Sequence, residues 1–418
     1  NSSVMHELAD ITVAPLHYYG DANGFDIQSE KFGFEKGKAL EIISAKESAP
    51  LGAGPYYYER SESGVIFLAS NSGYYKGAPI TERIEVKQTP AETVVSAVSD
   101  GAADITYPDG SLRTSDEINS ANEAMEKLYA ATISKDGYGY IGINAANVNI
   151  GGVPDSEESI ALRMAIATAV YLDLSVERYY GSVGIKTDYP AALTAWIGNE
   201  YTKPYSTDVD GNSIYMDGMR DQEKSAAAKR ACLEYLEAAG YTVEEGKVVA
   251  APEGGALSFN AVIAADGTGN HPCYYALEAA SVLLADIGIT LSITDTADAS
   301  QMWTVLNSGS HQIWAAVWET GVQPRLDTMY SEGNLYGIKN EELEECIGIS
   351  VTSKDNEELK ETYIKCLNII FGNAIEIPVY QRSDCVLFST LRINCDTLPN
   401  DMTGYYSWVD EAHLIEKK

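Results

Sequence analysis

The groups in this 418-residue chain that can run acid–base, nucleophilic or metal chemistry are five histidines, six cysteines and 61 carboxylates. Their spacing assembles no reaction centre. His6, His17, His271, His311 and His413 fall in no HExxH or HxH pattern, and no Gly-x-Ser-x-Gly elbow or phosphate loop is present. The glycine clusters at 52–54, 151–152 and 266–269 lack the spacing that cradles a pyrophosphate. Cys232, Cys273, Cys346, Cys366, Cys385 and Cys395 form no CxxC pair, so they read as small buried hydrophobes, with Cys385 and Cys395 as the one plausible close pair. Among so many carboxylates some pair meets by chance, which keeps a secreted carbohydrate-active enzyme as an alternative without a specific signal.

Two constellations remain. Asp208-Val-Asp210-Gly-Asn212 opens like a calcium loop, but Ser213 stands where Gly is wanted and Met219 where a bidentate Glu is wanted, which favours a plain Asp/Asn turn. Trp303, Trp314 and Trp318 cluster around a predicted strand. Trp303 and Trp314 read as core packing, whereas Trp318 is followed by Glu319-Thr320-Gly321 at the carboxyl end of that strand, where open sheets place ligands. An aromatic wall beside a charged group is the usual make-up of a ligand site. Tyr supplies 28 of the 40 aromatic residues, and its ring with a polar tip suits polar ligands as well as cores.

The elements that must position these residues follow from periodicity and punctuation. Residues 55–70 read as two strand runs around a Gly-containing turn, 83–87 alternate as a half-buried strand, and Pro90 precedes an amphipathic stretch ending at Gly101. Residues 138–144 form a strand. Asp155 is then expected to cap a helix, with Glu158 completing the capping pattern and Ile160, Met164, Ala167, Tyr171 and Leu174 at helical spacing. Residues 181–221 lack periodicity and read as a long surface excursion. A helix over 222–239 ends at Gly240, and a short hairpin follows. Residues 257–293 read as strand, helix and strand, with Pro272 at the first helical position and Gly288 as the stop. A helix over 299–306 leads to a strand over 312–318, and helices near 340–350 and 356–371 precede strands near 375–380 and 386–389. The order predicts an α/β protein of mixed sheets flanked by helices.

Composition bounds the rest. At 45% apolar and 22% charged residues the chain folds, and its length allows two to three domains. A net charge of −32 repels phosphate backbones and anionic lipid headgroups, which excludes nucleic acid as an expected partner. The longest apolar runs, such as residues 313–318, are far too short to span a bilayer.

Against that background a set of ordered stations resembles the extracellular solute-binding proteins of oligopeptide and dipeptide ABC importers, family 5. Gly52-Ala-Gly54-Pro55-Tyr56, Ile84-Glu-Val86 and Ser99-Asp-Gly-Ala-Ala-Asp104-Ile105 are similar to the family's early segments. Tyr140-Ile-Gly-Ile-Asn144, the stretch from Arg163, Tyr235-Leu-Glu-Ala-Ala-Gly-Tyr241 and Ile377-Pro-Val-Tyr380 follow in the family's order. The resemblance implies a bilobed, class II periplasmic-binding-protein-like fold. It implies an incomplete first lobe from residues 1–137 and 391–418, a second lobe from 138–390, and a chain corresponding to a C-terminal portion of the family. It further implies a non-enzymatic monomer without cofactor or metal, outside the bacterial cell, lipid-anchored or periplasmic. Such a protein captures oligopeptides between its lobes for an ABC permease. Its implied ligand-binding residues are Tyr140, Asn144, Trp318, Glu319, Thr320, Gly321, Arg325, Tyr380 and Arg382. The family's Trp-x-x-Asp, whose Asp receives a peptide's amino group, has Gly321 in place of the Asp here. Glu319 is the nearby substitute carboxylate, Arg325 or Arg382 the candidate for a ligand carboxylate, and a non-peptide or amino-blocked solute the alternative cargo.

Overall fold

The structure, a computed structural model, describes residues 15–21, 24–33, 39–135, 137–172, 185–187, 205–265, 267–319, 325–331, 333–381 and 383–418. The chain divides into two compact units. One holds Ser134–Ser383 with Gly110–Leu112; the other holds Arg113–Ile133, Asp384–Lys418 and the described part of His6–Asp109.

In the smaller unit the strands Tyr56–Glu62, Val65–Ser70 and Arg83–Lys87 form an antiparallel meander. Ser63 and Gly64, both at positive φ, make the two-residue turn that the sequence predicts near Gly64. A second sheet places Ser383–Ser389 between Ile105–Thr106 and Leu128–Ser134. Leu387 and Phe388 carry this strand into the smaller unit's two apolar clusters. The division between the two units falls at 383–384 on this side.

The larger unit is built on a six-stranded mixed sheet. Its strands are β1 (Gly137–Ile143), β2 (Ile185–Lys186), β3 (Ser258–Ile263), β4 (Thr290–Asp295), β5 (Ile313–Glu319) and β6 (Glu376–Gln381), in spatial order β4-β3-β5-β1-β6-β2. β3 runs parallel to β4 and β5, while β1 is antiparallel to both β5 and β6. Strand, helix, strand over 258–295 is the crossover expected from the sequence, and its helix, α3 (Pro272–Asp286), starts on Pro272.

All seven residues of β1 are buried, as a strand with neighbours on both sides requires. Its glycines make room for rings from those neighbours. A Cβ on Gly139 would stand 2.0 Å from the Tyr380 ring, and one on Gly142 would stand 2.4 Å from the Trp314 ring. Pro378, which cannot donate to a ladder, sits where the β6–β1 register slips, the position at which a central strand tolerates proline.

Helices α1 (Glu157–Tyr171) and α3 pack on one another and on β6, and α2 (Asp221–Ala238) packs on α1. The N-cap of α1 is Ser156, whose Oγ accepts from the Ser159 backbone N–H, not Asp155 as the sequence suggests. Nor is α1 one-sided: Leu162, Arg163 and Ala165–Tyr171 are buried, which small residues permit by letting neighbours close on every face. Arg163 donates to the carbonyls of Asn373 (2.8 Å), Val148 (3.1 Å) and Pro154 (2.9 Å), tying three loops together, and burial pulls its pKa down to about 10. Among the described residues the larger unit also has helices α4 (Ala299–Asn307), α5 (Leu326–Tyr330), α6 (Glu341–Thr352) and α7 (Asn356–Gly372), the last packing on α6 and β6. No helix among the described residues is long and apolar enough to cross a membrane.

All six cysteines are free thiols. The expected approach of Cys385 to Cys395 does not occur, because Cys385 packs beside Leu387 and Cys395 lies against the separate Phe388 cluster.

Candidate functional site

The register of β5, β1 and β6 decides which side chains meet. Trp314, Ala316 and Trp318 on β5 lie opposite Gly142, Tyr140 and Tyr138 on β1, while Glu376 and Pro378 on β6 lie opposite Gly142 and Tyr140. Residues directly opposite in a ladder share a face, so this arithmetic gathers two tryptophans, two tyrosines and one carboxylate on one side of the sheet. The register slip after Pro378 turns Tyr380 to the side of Gly139, where its hydroxyl meets His271 Nε2 at 3.2 Å.

Glu376 is fully buried, and phenols surround its carboxylate. Tyr138 donates to Oε1 at 2.7 Å, Tyr330 from the end of α5 donates to Oε1 at 3.1 Å, and Tyr336 donates to Oε2. Tyr205 donates to the Glu376 backbone carbonyl at 2.6 Å, which anchors that residue of the 181–221 stretch in the core, while residues 209–213 and 216–218 are exposed. Burial pushes the Glu376 carboxyl up to about 7, against the pull of the Tyr336, Tyr138, Tyr330 and Trp318 donors that favour its ionised form. Burial first, and then the neighbouring carboxylate, raises the hydroxyls of Tyr138, Tyr330 and Tyr336 well above the ordinary tyrosine value.

Trp318 is the member of this group that reaches the surface. Its ring lies parallel to Tyr140, 7° between planes and 5.8 Å between centroids, and its Nε1 donates to the Tyr336 hydroxyl at 3.3 Å. Trp314, fully buried, meets Tyr140 edge-on and donates to its hydroxyl at 3.3 Å. The half-exposed Trp318 ring is therefore the outer layer of a stack held from behind by buried aromatics and a carboxylate.

The structure distributes the residues singled out in the sequence unevenly. Tyr140 and Trp318 are in contact, and Glu319 is exposed at the end of β5. Arg325, at the start of α5, grips Asp327 through Nε (2.9 Å) and Nη2 (2.7 Å). Asn144 is buried, its Oδ1 accepting from the Ala146 N–H. Tyr380 is buried as well. Thr320, Gly321 and Arg382 lie outside the described residues. Trp303 departs from its expected place in the core: it is 45% exposed, on α4 beside the face that buries Met302 and Leu306. Glu376, Tyr138, Tyr330 and Tyr336 escape the sequence reading. The available signal was a lone carboxylate at the head of the apolar strand 376–380, which a two-sided strand buries only with partners.

Elsewhere the candidates resolve into local structure. Asp208 Oδ1 accepts from the Asp210 and Asn212 backbone N–H groups at 3.1 and 2.8 Å, an Asx turn of the kind favoured from sequence. His271 caps α3 through Nδ1, which accepts from the Cys273 N–H. No group of three His, Cys, Asp or Glu side chains among the described residues is placed to hold a metal ion.

The family model for the middle of the bacterial extracellular solute-binding proteins, family 5, matches residues 5–336. No curated protein matches the chain in sequence. Solved structures share its fold at low identity. The ABC transporter substrate-binding protein CtaP from Listeria monocytogenes superposes with a TM-score of 0.67 at 15% identity, covering 91% of this chain and 70% of that one. NikA from Brucella suis, in complex with Fe(III)-EDTA, gives 0.66 at 18% over 88% and 69%. The oligopeptide-binding protein AppA from Bacillus subtilis, in complex with a nonapeptide, gives 0.61 at 16% over 97% and 72%.

Proposed function

The chain belongs to the bacterial extracellular solute-binding proteins of family 5, and from that premise we propose that it is a non-catalytic receptor that captures oligopeptides and delivers them to an ABC permease. The observation that carries the reading is the Trp318 platform: a half-exposed ring, fixed flat against Tyr140, at the carboxyl end of β5 and followed by the exposed carboxylate of Glu319. Such a ring offers a peptide side chain a broad apolar wall at little ordering cost, because the stack and the Nε1 bond already hold it. Glu319 then receives a peptide's amino group, and Arg325, with Asp327 setting its guanidinium, lies six residues further on as the partner for a ligand carboxylate. Thr320, Gly321, Tyr140, Asn144, Tyr380 and Arg382 complete the proposed set, the buried tyrosines and Asn144 as support. On this reading the protein works as a monomer outside the cell, lipid-anchored or periplasmic.

A specific observation favours a second cargo. Gly321 stands where the family's amino-binding Asp is expected, and one structural relative is described with Fe(III)-EDTA, so a chelate or an amino-blocked peptide fits the same scaffold. Thermal unfolding with mixed peptide pools, free or N-acetylated, and with Fe(III)-EDTA separates these. A cognate solute at a hundred times its Kd stabilises the protein by about 2.7 kcal/mol. A shift with free peptides supports the first reading, a shift only with acetylated peptides or the chelate supports the second, and no shift with any peptide pool refutes the peptide receptor.

A further inference from the structure

We propose that Glu376 is a positioning residue that sets the orientation of Trp318 through the hydroxyl of Tyr336, an inference that rests on reading Trp318 as a wall of the solute site. The chain of contacts is direct. Tyr336 has one hydroxyl proton, and that proton goes to Glu376 Oε2; its oxygen is thereby left to accept from Trp318 Nε1. An ionised carboxylate accepts only, so it fixes the direction of every hydroxyl around it. The ring of Trp318 is then held at two points, by stacking on Tyr140 and by the indole N–H, and the second point is available because Glu376 takes the Tyr336 proton and leaves that oxygen's lone pair to the indole.

Protonation reverses the logic. A neutral Glu376 carries a hydroxyl of its own, and one of Tyr138, Tyr330 or Tyr336 must turn its proton elsewhere to receive it. Little nearby charge competes for that decision. The titratable groups facing Glu376 are Tyr138 and Tyr140 from β1, Tyr330 from α5, Tyr336 and Tyr205 from the connecting segments, and Cys366 from α7. Beyond them lie Cys273 and His271 at the start of α3, which meet Tyr140 and Tyr380, and Arg163 of α1, whose charge acts on Tyr205. The charged group among them is Arg163, which already serves three carbonyls, and His271 Nδ1 accepts a backbone N–H. Glu376 therefore acts as a buried proton site wired to a surface aromatic, in a position where a purely structural residue would have no reason to be ionisable.

The test uses the protein without solute, so its failure is distinct from failure of the peptide reading. The indole N–H resonances of the 15N-labelled chain are followed from pH 5 to 8.5, with that of Trp318 assigned through Trp318→Phe and that of the exposed Trp303 as the internal reference. The wild-type Trp318 resonance should titrate with a midpoint near the carboxyl value of about 7. In Glu376→Gln it should be displaced and flat with pH. Tyr336→Phe keeps the carboxylate and two of its donors, and there the Trp318 resonance should lose its titration in a folded protein. A Trp318 resonance that does not titrate in the wild type, or that titrates unchanged in Glu376→Gln or Tyr336→Phe, overturns the proposal.

Discussion

Replacing Glu376 by Gln tests whether burial or hydrogen bonding governs this carboxyl. Three phenolic donors to one carboxylate, at about 1.5–3 kcal/mol for each charge-assisted bond, are enough in principle to keep an acid ionised. Complete desolvation opposes them, and the balance leaves the pKa raised from 4.5 to about 7. A folded-state pKa above the unfolded one means that the native protein binds a proton where the unfolded chain has released it. Stability from this group is then fully present below pH 4.5 and is lost as pH rises through 7. At 1.36 kcal/mol per unit the loss totals about 3 kcal/mol, of which roughly 2 to 3 kcal/mol falls between pH 5 and 8. Gln does not titrate, so other pH-dependent groups cancel in the difference between the two proteins. Urea unfolding at pH 5, 6.5 and 8, followed by tryptophan fluorescence in a Trp408→Phe background, reads the larger unit, which holds Trp303, Trp314 and Trp318, whereas Trp408 lies in the smaller one. Relative to Glu376→Gln, wild type should lose roughly 2 to 3 kcal/mol across that range. A difference that stays flat, or that grows in favour of wild type at pH 8, would mean that the phenols outweigh burial and would refute the reasoning.

Two further outcomes follow from the same core. Arg163→Met strands three loop carbonyls in a fully buried site, and should cost about 3 kcal/mol or more in urea unfolding; a loss under about 1 kcal/mol would show that water replaces the guanidinium without penalty. Among the thiols, burial raises Cys232 to about 12 and pushes Cys273 and Cys366 higher still, whereas Cys395 is only partly buried. An aromatic disulfide reagent should therefore label Cys395 first in the native protein and the other three only on unfolding; rapid native labelling of Cys273 would contradict the buried placement of α3.

Much of the fold was legible because its signals are local. The Pro272 start and the Gly288 stop of the crossover, the alternation of 83–87 and the Ser63-Gly64 turn each declare themselves within a few residues. Trp318 was legible for a similar reason, since polar neighbours at a strand end mark the point where a ring leaves the core. What periodicity cannot carry is pairing. That Glu376 stands opposite Gly142, and Trp318 opposite Tyr138, depends on a register between strands more than 170 residues apart in sequence, and this register creates the buried carboxylate site. The burial of α1 on all sides was hidden likewise, because its alanines contribute little to a hydrophobic stripe and matter only by what they let approach.

The glycines of β1 constrain how this sheet can change over evolutionary time. At Gly139 and Gly142 the volume a side chain would need is already occupied by rings anchored on other strands, those of Tyr380 and Trp314. A lineage cannot enlarge either glycine in a single step; the ring must shrink first, passing through an intermediate with a void. Each glycine and its ring should thus drift as a linked pair, so that homologues with a larger residue at one position carry a smaller one at the other.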